Sequence, residues 1–215
     1  MALEEKDREA AFISEVFHSL SQPLTALHCT LDLALERDRT LPQLRASVQS
    51  ALDNAERLRQ RLLLVRALND AGGSEQAHEP VDLGVLLGEL SEDFLPLFES
   101  AGRKFELEIR REHPLVRANR VRLTRALFAF VEYLFRYLPE GALLSLCLDG
   151  SEDQAEIRIQ SASCLPLGPE EGNFTLPCSC ETELVRRTLV AAGGDFRLVL
   201  CEADRNVWLG TLPWA

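Results

Sequence analysis

Apolar residues recur at Ile13, Val16, Leu20, Leu24, Leu27, Leu31 and Leu35. Every step is three or four residues, which predicts one long amphipathic helix. A polar stretch, ERDRTLPQ, follows, and its proline suits the first turn of a second helix. That helix carries Leu44, Val48, Ala51, Ala55, Leu58, Leu62 and Val65, a heptad seam of the kind buried against partner helices. Two such helices joined by a short loop make an antiparallel hairpin that leaves too much apolar stripe exposed when alone, and a homodimeric four-helix bundle covers it. The segment GGSEQAHEP reads as a linker, dividing the chain into a helical hairpin over 1–72 and a second domain over 80–215. In the second domain VDLGVLLGELSEDFLPLFESAG, RVRLTRALFAFVEYLFRYL and TELVRRTLVAAGG are helix-periodic. KFELEIRRE, LLSLCL, AEIRIQ, DFRLVL and VWLGTLP read as strands. The fold class predicted is α+β: a hairpin forming a dimeric four-helix bundle, then a two-layer α/β sandwich.

The first helix contains an oddity, FHSLSQPLTAL, with a histidine and a proline in mid-helix. Proline inside a helix costs about 3 kcal/mol and cannot donate to the carbonyl four residues back, here Ser19. Pro23 therefore predicts a kink or loosening just after His18. His18 lies two residues from both Val16 and Leu20, so it points away from the stripe they share and should face water. A neutral imidazole on a rigid, exposed perch is suited to accepting and passing on a phosphoryl group. The bland alternative, a solvated helix histidine, is what an isolated histidine would be.

Composition narrows the classes. With 46% apolar and 27% charged residues among 215, the chain is globular. Its net charge of −11 repels phosphate backbones and anionic lipid surfaces, so nucleic acid and membrane are poor partners. No run of about 18 apolar residues and no apolar signal core is present, which predicts a cytoplasmic protein. The cysteines Cys29, Cys147, Cys164, Cys178, Cys180 and Cys201 are scattered. Cys178 and Cys180 form a close pair without the second pair a zinc site needs, so reduced thiols and no metal site are expected. His28, His78 and His113 read as structural or solvated.

FHSLSQPLTAL resembles the H-box of two-component sensor histidine kinases, in which a phosphoaccepting histidine precedes Pro-Leu. The likeness is collinear along nearly the whole chain. LRQRLLLVRALNDA resembles the second bundle helix, EPVDLGVLLGEL the approach to the ATP-binding domain, RVRLTRALFAFVEYLFRYLPEGALLSLCL the N-box helix and strand, ELVRRTLVAAGGDFRL a late helix, and WLGTLPWA the final strand. The resemblance implies a histidine-kinase-type ATPase sandwich for the second domain and makes His18 the phosphoacceptor.

The departures from that family's pattern carry as much meaning. Where the N-box offers asparagines, one of them for Mg²⁺, this helix presents Ala129 and Tyr133. Magnesium demands oxygen ligands in octahedral array, which alanine cannot supply and a phenol supplies badly. The adenine-binding aspartate is missing from IQSASCLPLG, and LPCSCETELVRR has no glycine-rich phosphate lid. The acidic residue that commonly follows the phosphohistidine is Ser19 here, and Gln22, one turn on, shares the face of His18 and could position a water or a phosphoryl group.

These readings combine into a histidine phosphotransferase. It would relay a phosphoryl group through His18 to or from the aspartates of response-regulator receiver domains, with no cofactor of its own and the Mg²⁺ supplied by the receiver. Autokinase activity is not expected. The competing readings are a non-catalytic pseudokinase scaffold, for which neither His18 nor Pro23 has a chemical purpose, and a divergent histidine kinase.

Overall fold

The computed structural model describes residues 2–35, 40–71, 78–111, 114–161, 179–202 and 205–215. Most of IQSASCLPLG lies in 162–178, outside the described residues, as His113 also does, whereas LPCSCETELVRR is described from Ser179 onward and runs into a helix that begins at Cys180. The chain divides into two compact units, with the break between Asn69 and Asp70.

The first unit is built from α1 (Ala2–Leu35) and α2 (Leu41–Ala71). Pro23 does not interrupt α1, which is helical throughout. One proline withdraws a single N–H, and the turns on either side keep the rest of the ladder. At the start of α2 the Gln43 side chain accepts from the Thr40 N–H at 3.0 Å while the Thr40 carbonyl takes the Leu44 N–H at 3.0 Å. These bonds pair the chain's polar groups where the helix begins, and Pro42 loses nothing there.

The apolar stripe predicted for each helix resolves into two faces. On α1, Phe12, Val16, Leu20, Leu27 and Ala34 are half-buried, whereas Ile13, Phe17, Leu24, Leu31 and Leu35 are exposed. On α2 the covered strip runs Ser47, Ala51, Asn54 and Leu58, sharing Ala51 and Leu58 with the expected seam, while Leu44, Val48, Leu52 and Leu62 stay open to solvent. A three-four spacing repeats on adjacent faces of the same helix, so periodicity alone merged the two.

The second unit comprises β1 (Glu79–Asp82), α3 (Leu83–Ser100), β2 (Lys104–Ile109), β3 (Leu115–Ala118), α4 (Arg120–Tyr137), β4 (Leu143–Gly150), β5 (Gln154–Ser161), α5 (Cys180–Ala191), β6 (Asp195–Glu202) and β7 (Arg205–Pro213). Five strands form one sheet in the order β2-β4-β5-β7-β6, with β2 and β4 parallel and the other pairs antiparallel. The short antiparallel ladder β1-β3 was not anticipated, because EPVD and LVRA are too brief to show alternation. Both helices that follow these strands are capped by side chains. Asp82 Oδ1 accepts from the Gly84 and Val85 N–H groups at 2.9 and 3.1 Å, and Asn119 Oδ1 from Arg122 N–H at 3.0 Å.

Strand alternation puts one row of side chains after another on the helix-covered face. Leu146, Ile159 and Trp208 are register partners in adjacent strands and each is fully buried. The next row places Leu148, Ile157, Gly210 and Phe196 side by side. Phe130 from α4 meets Phe196 and Trp208 edge-on, at 5.2 and 5.5 Å between ring centroids. A second aromatic group joins Phe94 and Phe98 of α3 to Phe105, Phe128 and Phe135, and Arg103 lies over the Phe135 ring at 4.3 Å. The opposite sheet face is polar, with Arg110 bonded to Glu108 at 2.8 Å and to Asp149 at 3.4 Å.

The turn from α5 to β6 depends on two glycines. Gly193 has φ +81, in the left-handed region that favours glycine, and a Cβ on Gly194 would overlap the carbonyl oxygen of Thr211. Gly194→Ala is expected to lower stability by about 1–3 kcal/mol, since a backbone carbonyl in a sheet cannot move aside. Denaturant unfolding checks this, and a midpoint unchanged from wild type would refute the close approach.

Candidate functional site

The site begins with the i, i+4 geometry of α1, which stacks residue 22 over residue 18 on one face. His18 and Gln22 are both exposed, and Gln22 Nε2 lies 2.8 Å from His18 Nε2. The amide nitrogen donates, and the ring nitrogen accepts in the tautomer that carries its proton on Nδ1. The contact holds the imidazole against the helix surface. An exposed imidazole in its neutral form is a nucleophile for a group presented by a docked protein.

The other two candidates play lesser parts. Ser19 is half-buried and its Oγ donates to the Val16 carbonyl at 2.9 Å, so the hydroxyl is turned back onto its own helix. Pro23 is half-buried, one residue beyond Gln22. His28 pairs with Asp32 at 2.9 Å, in keeping with a solvated helix-surface role.

Phe17, 67% exposed beside His18, was not singled out from the sequence. Its signal lies in the heptad spacing of the exposed set, Ile13, Phe17, Leu24 and Leu31, which becomes legible once the covered face is known.

In the second unit, Ala129 and Tyr133 are half-buried on α4. The Tyr133 ring lies against Phe130 at 6.3 Å and Tyr137 at 5.1 Å. Among the described residues no group of three or more His, Cys, Asp or Glu could hold a metal ion, and no helix is long and apolar enough to cross a membrane.

No protein-family model matches the chain. Among curated proteins, the sensor protein IrlS of Burkholderia pseudomallei is 25% identical over 154 residues, covering 71% of this chain. That match takes in 32% of IrlS, so the chain spans about a third of the length of this curated relative. Among solved structures, the Acinetobacter baumannii histidine kinase AdeS superposes with a TM-score of 0.70 at 17% identity, over 92% of this chain and 98% of that one. Histidine kinase ThkA in complex with the response regulator TrrA superposes with a TM-score of 0.71 at 16% identity, over 100% of this chain and 66% of that one. A helical N-terminal part followed by a mixed α/β sheet domain is the fold these structures share with the chain. The chain is thus similar in sequence to a sensor protein over 71% of its length and shares the fold of solved histidine kinases.

Proposed function

We propose that the protein is a histidine phosphotransferase that carries a phosphoryl group on His18 between receiver-domain aspartates, without binding ATP itself. The observation that carries this reading is the exposed His18 ring, held by Gln22 on a continuous helix with Nε2 as an acceptor. Transfer is an in-line displacement in which the N–P bond forms as the acyl phosphate P–O bond breaks, and the electron pair departs with the aspartyl carboxylate. ThkA was crystallised with a response regulator, which supports a receiver domain as the partner that docks on α1.

Two features support the loss of nucleotide chemistry. The α4 positions at which the family places magnesium-binding amides hold a methyl group and a phenol, and the Tyr133 ring is packed among neighbouring aromatics. Neither fits an octahedral oxygen-seeking cation. The magnesium that phosphoryl transfer requires belongs in this reading to the receiver. The deciding experiment incubates the full chain with a ³²P-labelled receiver domain. Acid-labile, alkali-stable label on this chain supports the relay, and a folded protein that takes up none overturns it.

A homodimer is part of the same proposal. Ile13, Phe17, Leu24 and Leu31 on α1, with Leu44, Val48 and Leu62 on α2, leave two heptad-spaced apolar edges open to water. A second copy offers the same edges and buries both by two-fold symmetry. The Leu24→Glu, Leu31→Glu double variant is expected to sediment as a monomer with helicity retained. A dimer that survives both charges would place the interface elsewhere.

A divergent kinase is the second reading, favoured by the full five-stranded sheet and its intact aromatic core. Saturable heat on titration with ATP and Mg²⁺ would establish it.

A further inference from the structure

We propose that Arg57 of α2 is a positioning residue for the receiver domain, its guanidinium holding a carboxylate on the rim of the receiver's phosphorylation site while that site is set against His18. The proposal rests on the phosphoryl relay above and adds to it a docking contact on the second helix. Height along the hairpin comes first. Two helices joined by a short connection return antiparallel, and His18 stands as far before Leu35, the end of α1, as Arg57 stands after Leu41, the start of α2, to within one residue. With the same rise of about 1.5 Å per residue in both helices, the two side chains share one level.

The helical period then fixes the side of the hairpin. On α1 the exposed Phe17, Leu24 and Leu31 flank the covered strip on one side, and Ser19 and Gln22 lie on the other. On α2 the exposed Leu44, Val48 and Leu62 flank the covered strip on one side, and Arg57 and Gln60 lie on the other. In an antiparallel pair the two apolar edges face the same way, as the proposed dimer requires, so Gln22 and Arg57 share the opposite flank. The His18 ring is bonded to Gln22 at 2.8 Å, which ties the nucleophile to that flank.

Arg57 is also the cation there that nothing holds. Of its neighbours on α2, Arg59 is tied to Glu56 at 2.7 Å, and Arg61 is half-buried and engaged. Arg57 is exposed and makes no hydrogen bond or ion pair among the described residues, and Asp53, one turn before it, accepts from the Gln49 amide at 2.9 Å instead. A receiver that holds Mg²⁺ beside its phosphoryl group must present carboxylates, because magnesium takes oxygen ligands. The net charge of −11 on this chain repels such a face at a distance. One free guanidinium at the level of the nucleophile gives the approaching face a point of attraction, in a fork that fits a carboxylate.

The test times phosphoryl transfer from the ³²P-labelled receiver to the full chain over a range of receiver concentrations, in dilute salt and in about 1 M salt, where the screening length falls to about 3 Å. In dilute salt Arg57→Glu should lower the second-order rate constant roughly tenfold while the rate at saturating receiver stays at the wild-type value, and high salt should erase the difference. Arg57→Lys keeps the charge and should recover most of the loss. Arg45→Glu makes the same charge change on an exposed position of α2 nearer the connection, and it should match wild type. No loss in Arg57→Glu, an equal loss in Arg45→Glu, or a loss that persists in high salt overturns the proposal. If the wild-type chain takes up no label, the relay reading fails. Titration calorimetry of the unlabelled receiver against the same variants then decides the docking role separately: weaker binding in Arg57→Glu alone supports it, and equal affinity, or no binding to wild type, overturns it.

Discussion

Replacing His18 by glutamine or alanine is expected to abolish phosphoryl uptake from a labelled receiver, a loss on the order of 10³-fold or more, since in the proposed relay His18 itself carries the phosphoryl group. The fold should not register the change. His18 is exposed, and its contact in the helix is the Gln22 amide, so the stability effect should stay within about 0.5 kcal/mol. This separation of chemistry from stability makes the measurement decisive. Circular dichroism and sedimentation confirm that the variant is folded, and label retained at wild-type level would mean that another residue carries the phosphoryl group. His28 is the natural control: its ring is tied to Asp32, and His28→Gln should transfer at the wild-type rate.

Truncating Phe130 to alanine should have the largest effect on the fold of the second unit. The ring is fully buried and meets Phe196 of β6 and Trp208 of β7 edge-on. Its removal deletes buried apolar area and two aromatic contacts together, and a loss of about 3–5 kcal/mol is expected. That is a large fraction of a typical domain's stability. Thermal or denaturant unfolding followed by tryptophan fluorescence measures it directly, since Trp208 lies in the affected core. A shift below about 1 kcal/mol would show that the surrounding side chains collapse into the space, contrary to the close packing seen. The same variant bears on function, because in the proposed reading α4 and its sheet hold no nucleotide. Transfer through His18 is expected to survive destabilisation of this core as long as the helical hairpin remains folded.

The reading of the sequence was most complete where local rules govern. Helix and strand alternate in the predicted order because each segment longer than about six residues carries its own periodicity. His18 and Gln22 were placed on one face from spacing alone, and the hydrogen bond between them follows from a regular helix. α1 continues through Pro23, since a single lost donor is outweighed by the many bonds the helix keeps on either side. The covered strip of α2 keeps Ala51 and Leu58 of the expected seam but takes in Ser47 and Asn54 and leaves Val48 open, because two faces of that helix share the same spacing.

What the amino-acid order determined by itself was the local chemistry: which segments coil or extend, which caps close them, and which nucleophile stands one turn from which amide. Tertiary structure decided everything that requires a distant partner. It paired β2 with β4 across an intervening strand and helix, and joined β1 to β3 over segments too short to signal themselves. It also chose which apolar face of α1 and of α2 is covered and which is left open. The physical reason is that periodicity reports only that a face is apolar; what covers it depends on how segments far apart in the chain pack together.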